Sequence, residues 1–190
     1  MAAFSTMLEL GTTLPAFELP DTGGRGPFSS TQLIGSVSVV AFLCNHCPYV
    51  KHIQRELAAF ARDYAARSVK IVGISSNDVV SHPEDGPAQM AEEARRAGYD
   101  FPYLYDERQS VARAFRAACT PEFYVFDTAG KLAYRGRFDE TTPKTGGKAS
   151  GADARGAVEA LLGGKRPTTD QKPSIGCSIK WKDANAPTYG

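Results

Sequence analysis

Apolar runs and amphipathic stretches alternate along the first half of the chain. Residues 37–43 are apolar and β-branched, and residues 69–75 have a similar composition. Each run therefore predicts a buried strand. Between the two runs, residues 49–67 carry apolar side chains at steps of three and four, which predicts a helix with one buried face. That face consists of Val50, Ile53, Leu57, Phe60, Ala61 and Tyr64.

The alternation continues in the second half. It predicts an exposed helix that ends at Gly98, a short strand, and a third helix opened by an Asp106–Gln109 capping pair. A hairpin and a last helix follow. The predicted positions are 89–97 for the exposed helix, 103–105 for the short strand, Val111, Ala114, Phe115 and Ala118 for the inner face of the third helix, 122–127 and 131–137 for the hairpin, and 150–164 for the last helix.

The resulting order, β-α-β-α-β-α-β-β-α, predicts the α/β class. Strands that alternate with helices favour a parallel sheet covered on both faces, and the late hairpin adds antiparallel strands at an edge. Residues 1–164 are expected to form one domain that opens with a loop-rich stretch. Residues 165–190 are expected to be a tail packed on that domain. We find neither an internal repeat nor a second candidate core.

Composition narrows the possible partners. Of the 190 residues, 42% are apolar and 23% charged, with a formal net charge of +1. This near-balance argues against nucleic acid and an anionic membrane surface as partners. The N-terminus lacks a basic start, and no stretch approaches the ~20 apolar residues that a membrane span requires. We therefore expect a cytoplasmic protein.

The candidate chemistry lies in the cysteines. Cys44 and Cys47 stand between the first buried strand and the first helix, whereas Cys119 and Cys177 are distant in sequence. A helix N-terminus stabilises a thiolate and can lower a thiol pKa from ~8.5 into the range ~3.5–7.5. Only the thiolate attacks a disulfide. The spacing also lets the two cysteines close a disulfide with each other, so the pattern predicts thiol–disulfide chemistry without a cofactor.

Two other interpretations of the cysteine pair stay open. The pair can be inert and buried, or it can be half of a zinc site completed by Cys119, Cys177 or a histidine. A related alternative is a protein that binds Cu(I) through Cys44, Cys47, His46 and Cys119. The placement between strand and helix favours redox chemistry, and the leading interpretation assigns no metal ligands.

Two neighbouring residues modify the predicted chemistry. His46 directly precedes the second cysteine and can favour a Cys44 thiolate, which makes the pair more oxidising than thioredoxin at about −270 mV. Pro121 opens an apolar strand. Only ~5–6% of bonds before proline are cis in folded proteins, so this residue alone predicts a trans bond. The loop that contains His82 is long enough to border the site.

Several motifs resemble the thioredoxin superfamily, and more narrowly the alkyl hydroperoxide reductase/thiol-specific antioxidant (redoxin) family in its peroxiredoxin-like branch. The resemblance covers nearly the whole chain and implies a thioredoxin-like fold with a mixed sheet. The motifs are Gly11-x-x-x-Pro15-x-Phe17-x-Leu19-x-Asp21, Cys44-Asn-His-Cys-Pro-Tyr-Val-Lys51, Cys119-Thr-Pro121 and Gly176-Cys-Ser-Ile-Lys-Trp181.

The resemblance implies a role for each matching residue. Cys44 matches the attacking cysteine of thioredoxins, Cys47 the resolving one and Pro121 the cis-proline. Thr120 matches the residue whose backbone hydrogen-bonds an extended substrate. Asn45 and His46 are expected to support the pair. Cys119 and Cys177 are possible additional redox residues, and the alternative is a small buried residue for Cys119 and a packing role in the tail for Cys177.

The chain departs from the family patterns at two places. Peroxiredoxins place their peroxide-reducing cysteine where Cys47 stands, with a hydroxyl residue at the position of Cys44. Thioredoxins carry a buried acid in the strand before the motif, and residues 36–43 contain none. The base that deprotonates the resolving cysteine therefore has no candidate in that strand.

The leading functional prediction is a thiol–disulfide oxidoreductase that acts on protein or small-molecule disulfides and thiols. Cys44 attacks, a mixed disulfide forms, and Cys47 releases it. One alternative is a thiol peroxidase that forms a sulfenate on Cys47 or Cys44, which Cys177 can resolve. The other is the thiolate metal-binding protein.

Overall fold

A computed structural model describes residues 2–189. Four α-helices and ten strands follow one another within these residues, with short 3-10 turns between some of them. The helices are α1 (Pro48–Ala65), α2 (Pro87–Ala97), α3 (Ser110–Ala114) and α4 (Ala152–Leu162). The strands are β1 (Ala2–Phe4), β2 (Glu18–Pro20), β3 (Pro27–Ser29), β4 (Ser38–Phe42), β5 (Lys70–Ser75), β6 (Tyr103–Tyr105), β7 (Cys119–Thr120), β8 (Glu122–Phe126), β9 (Leu132–Gly136) and β10 (Ile175–Ser178).

A five-stranded sheet in the order β6-β5-β4-β8-β9 forms the centre of the fold. Strands β4, β5 and β6 run parallel, whereas β8 and β9 join as an antiparallel hairpin. The mixed α/β architecture predicted from the alternating pattern is therefore confirmed.

Alternate residues of β4 show how the sheet builds two cores. Val39 and Ala41 face the core that contains α1, α2 and α4. Val40 and Phe42 face the opposite core, with α3 and part of the N-terminal segment. Successive side chains of a strand point to opposite faces, so a continuous apolar run is the expected sequence of a strand covered on both sides.

The third helix is shorter than expected. It ends at Ala114 because the chain turns at Arg116, whose φ of 51° is left-handed. The predicted inner face is therefore wrong at Ala114, which is exposed, and Ala112 is buried instead. The Asp106 carboxylate still accepts hydrogen bonds from the backbone N–H groups of Val111 and Ala112.

Both chain ends contribute strands that the hydrophobic pattern did not reveal. The opening segment contains β1 and the β2–β3 hairpin, so it is not all loop. In the tail, β10 lies between β1 and β7 in a small antiparallel sheet. The domain boundary at residue 164 stays a prediction, but the segment beyond it is joined to the domain by strand pairing.

No helix in the described part of the chain is long and apolar enough to cross a membrane.

Gly136 provides a test of how the tail docks. It ends β9 with a φ of 138°, and a Cβ added there would lie 2.1 Å from the carbonyl oxygen of Lys172 in the tail. We expect Gly136→Ala to destabilise the fold by about 1–3 kcal/mol, because the backbone is strained and the tail must move. Gly156→Ala, on the exposed side of α4 with open space around it, should instead stabilise by about 0.5–1 kcal/mol. Urea unfolding of both variants measures this, and equal effects would contradict it.

Candidate active site

The cysteine pair lies where β4 ends and α1 begins. Cys47 is the N-cap of α1, and Pro48 occupies the first helical position, where its missing N–H costs no hydrogen bond. Cys44 is 1% exposed and Cys47 is fully buried. The structure thus places both thiols at a helix N-terminus, as expected, but beneath the surface.

Strand β7 brings Thr120 and Pro121 to these thiols. The Thr120–Pro121 peptide bond is cis, as the family resemblance implied and against the expectation from proline alone. The Cys44 sulfur lies 3.1 Å from the Thr120 hydroxyl oxygen, and the Cys47 sulfur lies 3.2 Å from the Thr120 carbonyl oxygen. One residue therefore contacts both sulfurs of the pair.

Cys177 of the tail completes a cluster of three sulfurs. Its sulfur lies 2.7 Å from that of Cys47, although the two residues are 130 positions apart in sequence. All four cysteines of the chain are free thiols. Cys177 is also partly exposed, unlike the two cysteines of the motif. One of the two additional redox candidates, Cys177, thus contacts the pair.

The surroundings of Cys47 favour its anionic form. The hydrogen bond from the Cys44 thiol contributes most, and burial opposes it. Further hydrogen bonds from the Cys177 thiol and from the backbone N–H groups of Val50 and Cys177 also favour the anion. Together they lower the pKa of Cys47 to about 5. A helix N-terminus acts in the same direction.

The pKa of Cys44 moves the opposite way. Donation of its hydrogen bond to Cys47 raises this pKa well above the ordinary value, and burial and the negative charge of Asp85 raise it further. Cys47 therefore has the lower pKa of the two thiols, whereas an attacking Cys44 would be expected to have the lower pKa. That assignment stays a prediction, and the electrostatic environment favours Cys47 as the thiolate.

A buried acid reaches the motif from a loop that the sequence analysis treated only as a possible border of the site. Asp85 is fully buried. Its carboxylate accepts hydrogen bonds from the backbone N–H of Asn45 at 2.7 Å and from the side-chain amide of Asn77 at 2.8 Å. No local pattern marks this residue, because its role depends on the fold of the loop between β5 and α2.

The two residues between the cysteines hold this loop in place. Nδ1 of His46 lies 2.6 Å from a carboxylate oxygen of Asp85, and its ring stacks on that of His82 with centroids 4.9 Å apart. The side-chain amide of Asn45 donates to the Glu84 carbonyl oxygen at 2.8 Å. Asn45 and His46 thus fix the motif to the loop containing His82, as a supporting role requires.

Cys119 lies outside the sulfur cluster. It is fully buried, and its thiol is directed towards the Glu122 carboxylate at 3.9 Å. Burial and the charge of Glu122 raise its pKa well above the ordinary value. Burial also raises the pKa of Glu122 to about 7. Glu122 accepts hydrogen bonds from the backbone N–H groups of Ala118 and Cys119, so it shapes the turn into β7.

One group of side chains within residues 2–189 has the spacing of a metal site. Ligand atoms of Cys44, His46 and Asp85 all lie within 4.8 Å of one another. The set considered from the sequence contained Cys47 and Cys119 rather than Asp85. Because the Asp85 carboxylate and His46 already hydrogen-bond each other, a metal would have to replace that bond.

A groove of about 310 Å³ borders the site beside Pro121. It runs along the start of α1 and the beginning of β10, where Tyr49 and Ile175 line it. The hydroxyl of Tyr49 is buried without a hydrogen-bond partner in the described structure. No cysteine is among the lining residues, so the groove adjoins the sulfur cluster without opening onto it.

Comparison with known proteins identifies the family. Residues 10–135 match the AhpC/TSA family, which is about two thirds of the chain. The chain belongs to the AhpC/TSA family. An uncharacterised conserved protein from Geobacillus kaustophilus, solved as a crystal structure, is 46% identical to this AhpC/TSA chain. That comparison covers 96% of this chain and 97% of the other, with a TM-score of 0.94.

Two more distant comparisons concern a peroxiredoxin sequence and a thioredoxin-family structure. The 1-Cys peroxiredoxin PER1 of Zea mays is 26% identical over 113 residues. These are 56% of the AhpC/TSA chain, which spans about half (49%) of that relative. A thiol:disulfide interchange protein of the thioredoxin family from Chlorobium tepidum TLS is 22% identical, with a TM-score of 0.64 over 81% of this chain and 98% of the other. The thioredoxin-like fold is therefore confirmed.

The lowered pKa of Cys47 predicts a thiolate at neutral pH. The ultraviolet absorbance of thiolate in the reduced protein should rise with a midpoint near pH 5 rather than near the usual ~8.5. Cys47→Ser should remove this step and Cys119→Ser should retain it. A lowest midpoint near 8.5 would show that the hydrogen bonds to Cys47 do not hold the anion.

The charge of Asp85 predicts a second titration effect. Asp85→Asn should move the pKa of Cys44 downward, because the loss of a negative charge makes a nearby thiolate less costly. Alkylation of Cys44 at a series of alkaline pH values, read by mass spectrometry, measures this midpoint. Asp78→Asn is the control, since that carboxylate bonds only Val80 and Ser81 of the same loop. An unmoved midpoint in Asp85→Asn would contradict the assignment.

Proposed function

We propose that this AhpC/TSA protein is a thiol–disulfide oxidoreductase whose redox pair is Cys44 and Cys47. The observation that carries the proposal is the placement of two thiols at the start of a helix, with both sulfurs in contact with Thr120. The lowered pKa of Cys47 is consistent with it. Family membership supports an oxidoreductase in general, and the contacts of the two sulfurs with Thr120, next to the cis-proline, support this particular chemistry.

The proposed exchange begins with the Cys47 thiolate. It attacks one sulfur of a disulfide and forms a mixed disulfide, and the first partner thiolate leaves. Cys44 then gives up its proton and attacks the Cys47 sulfur, which releases the second partner thiolate and closes the Cys44–Cys47 disulfide. We propose the Asp85 carboxylate, an oxygen of which lies within 4.8 Å of the Cys44 sulfur, as the acceptor of that proton through one intervening water. Oxidation of a dithiol by the Cys44–Cys47 disulfide is the net reverse of this exchange.

Stabilisation of the Cys47 thiolate also affects the reduction potential of the pair, and so whether it tends to oxidise or to reduce its partners. A stabilised reduced form makes a disulfide more oxidising. The lowered pKa therefore supports the expectation of a potential above that of thioredoxin, although through Cys47 rather than through a Cys44 thiolate. The proposed partners are small-molecule or protein thiols and disulfides, and the proposed location is the cytoplasm.

Peroxide reduction is a second candidate, favoured by one observation. Cys47 stands where peroxiredoxins place their peroxide-reducing cysteine, and its pKa is lowered as that reaction requires. Cys44 replaces the hydroxyl residue expected three positions earlier. The hydroxyl of Thr120 contacts the sulfur of Cys44 rather than substituting for that group at Cys47.

Reaction of the reduced protein with two oxidants separates these functions. We expect oxidised glutathione to produce a Cys44–Cys47 disulfide quickly and hydrogen peroxide to react slowly, with thiol loss followed by mass spectrometry. Cys47→Ser should abolish exchange, because the stabilised thiolate is lost. Cys44→Ser should still react with oxidised glutathione through Cys47 without closing the motif disulfide, and Cys119→Ser should match the parent.

The opposite result has a clear meaning. Fast oxidation of Cys47 by peroxide, together with slow exchange with oxidised glutathione, would make the protein a peroxidase or peroxide sensor. Stoichiometric bound metal that thiol alkylation releases would instead favour the thiolate metal-binding alternative.

A further inference from the structure

The tail strand β10 occupies the edge where an extended substrate would pair. It runs antiparallel to β7, with Cys177 opposite Thr120 and Ser178 opposite Cys119. Thr120 is the residue whose backbone is expected, from the family resemblance, to hydrogen-bond a substrate peptide. Residues opposite each other in an antiparallel pair project from the same face, so Cys177 and Thr120 both face the motif.

Close contact holds this strand in place. A Cβ added to Gly176 would lie 2.0 Å from the carbonyl oxygen of Thr120, so only glycine allows the two backbones to approach this closely. On its other side, β10 pairs with β1. An extended protein segment therefore cannot pair with Thr120 unless β10 leaves β7.

The three cysteines of the cluster differ in how exposed they are to solvent. Cys44 and Cys47 are 1% and 0% exposed, whereas Cys177 is partly exposed and touches Cys47 at 2.7 Å. We propose that Cys177 is a third redox residue, presented by the tail as an internal substrate, which takes over the disulfide of the buried pair and passes it to small external thiols. This inference rests on the proposed function of the Cys44–Cys47 pair.

The transfer consists of balanced exchange steps. From the Cys44–Cys47 disulfide, the Cys177 sulfur attacks Cys47 and displaces Cys44, which takes up the proton that Cys177 gives up. A disulfide now joins Cys47 and Cys177. An external thiolate attacks the sulfur of Cys177, and Cys47 leaves as a thiolate. A second external thiolate then attacks the mixed disulfide, which releases an external disulfide and returns Cys177 to its reduced form.

The chemistry of the leaving groups supports this order. A thiol of low pKa is the better leaving group in thiol–disulfide exchange. When an external thiolate attacks the more exposed sulfur of a Cys47–Cys177 disulfide, the group displaced is Cys47, whose anion the site stabilises. The pKa of Cys177 in the reduced protein is raised to about 12, first by burial and then by its hydrogen bond to Cys47. A motif disulfide removes that hydrogen-bond acceptor.

A packing role for Cys177 makes different predictions. If the side chain only fills space between β10 and α1, no disulfide should form at it and serine should replace it without kinetic effect. Cys119 provides the matched comparison, because it is also buried near β7 but contacts Glu122 rather than another sulfur.

Trapping with glutathione tests the proposal on the full-length parent protein. The oxidised protein is mixed with reduced glutathione, quenched with acid, alkylated and mapped by mass spectrometry. We expect the glutathione adduct on Cys177. An adduct on Cys44 or Cys47 instead would overturn the proposal, and this measurement does not depend on the folding of any variant.

Two variants provide the kinetic test. Cys177→Ser should still close the Cys44–Cys47 disulfide, but its reduction by glutathione should slow about tenfold or more, because the exposed sulfur is missing. Cys44→Ser, oxidised by oxidised glutathione, should form a Cys47–Cys177 disulfide. Cys119→Ser should match the parent in both reactions.

The outcomes separate the two proposals. Reduction of Cys177→Ser at the parental rate would overturn the role of Cys177 and leave the proposed function intact. Absence of a Cys47–Cys177 disulfide in Cys44→Ser would do the same. Failure of every form of the protein to close the Cys44–Cys47 disulfide would overturn the proposed function itself.

Discussion

The site depends on the close antiparallel contact between β10 and β7. Because Gly176 has no side chain, the tail backbone lies against the carbonyl oxygen of Thr120, and this approach places Cys177 against Cys47. The same contact covers the edge beside the cis-proline and helps to bury the two motif cysteines. The pairing of β10 with β7 thus brings the sulfur of Cys177 against that of Cys47 and leaves Cys177 as the most exposed of the three.

The distribution of protons among the cysteines follows from this packing. Cys44 and Cys177 both donate towards Cys47, and the start of α1 adds a backbone donor, so the anion is best accommodated at Cys47. The pKa values of Cys44 and Cys177 rise as a consequence, because ionising either of them would remove a donor from Cys47. The three thiols thus differ in pKa because of their hydrogen bonds to one another, even though all three are at least partly buried.

Local patterns predict the parts of the site that neighbouring residues build. The strand-to-helix placement of Cys44 and Cys47 follows from hydrophobic periodicity, and the resemblance implies the cis bond before Pro121. Asp85 escaped prediction because a polar loop residue carries no periodic signal and becomes significant only when the loop folds over the motif. Cys177 was expected as a possible resolving residue, but strand β10 that brings it to Cys47 was not, since four residues far along the chain have too little pattern to reveal their partner.

The loop between β5 and α2 and the C-terminal tail are joined by hydrogen bonds. The side chain of Asn77 donates to Asp85 and accepts from the backbone N–H of Lys180, and the carbonyl oxygen of Lys180 accepts from the backbone N–H of Asp78. Asp85 bonds the motif from one side while β10 contacts it from the other. The tail cannot shift along β7 without disturbing the acid beside Cys44. The register of β10 therefore controls the environments of both Cys44 and Cys47, which explains how a strand outside the central sheet can belong to the redox site.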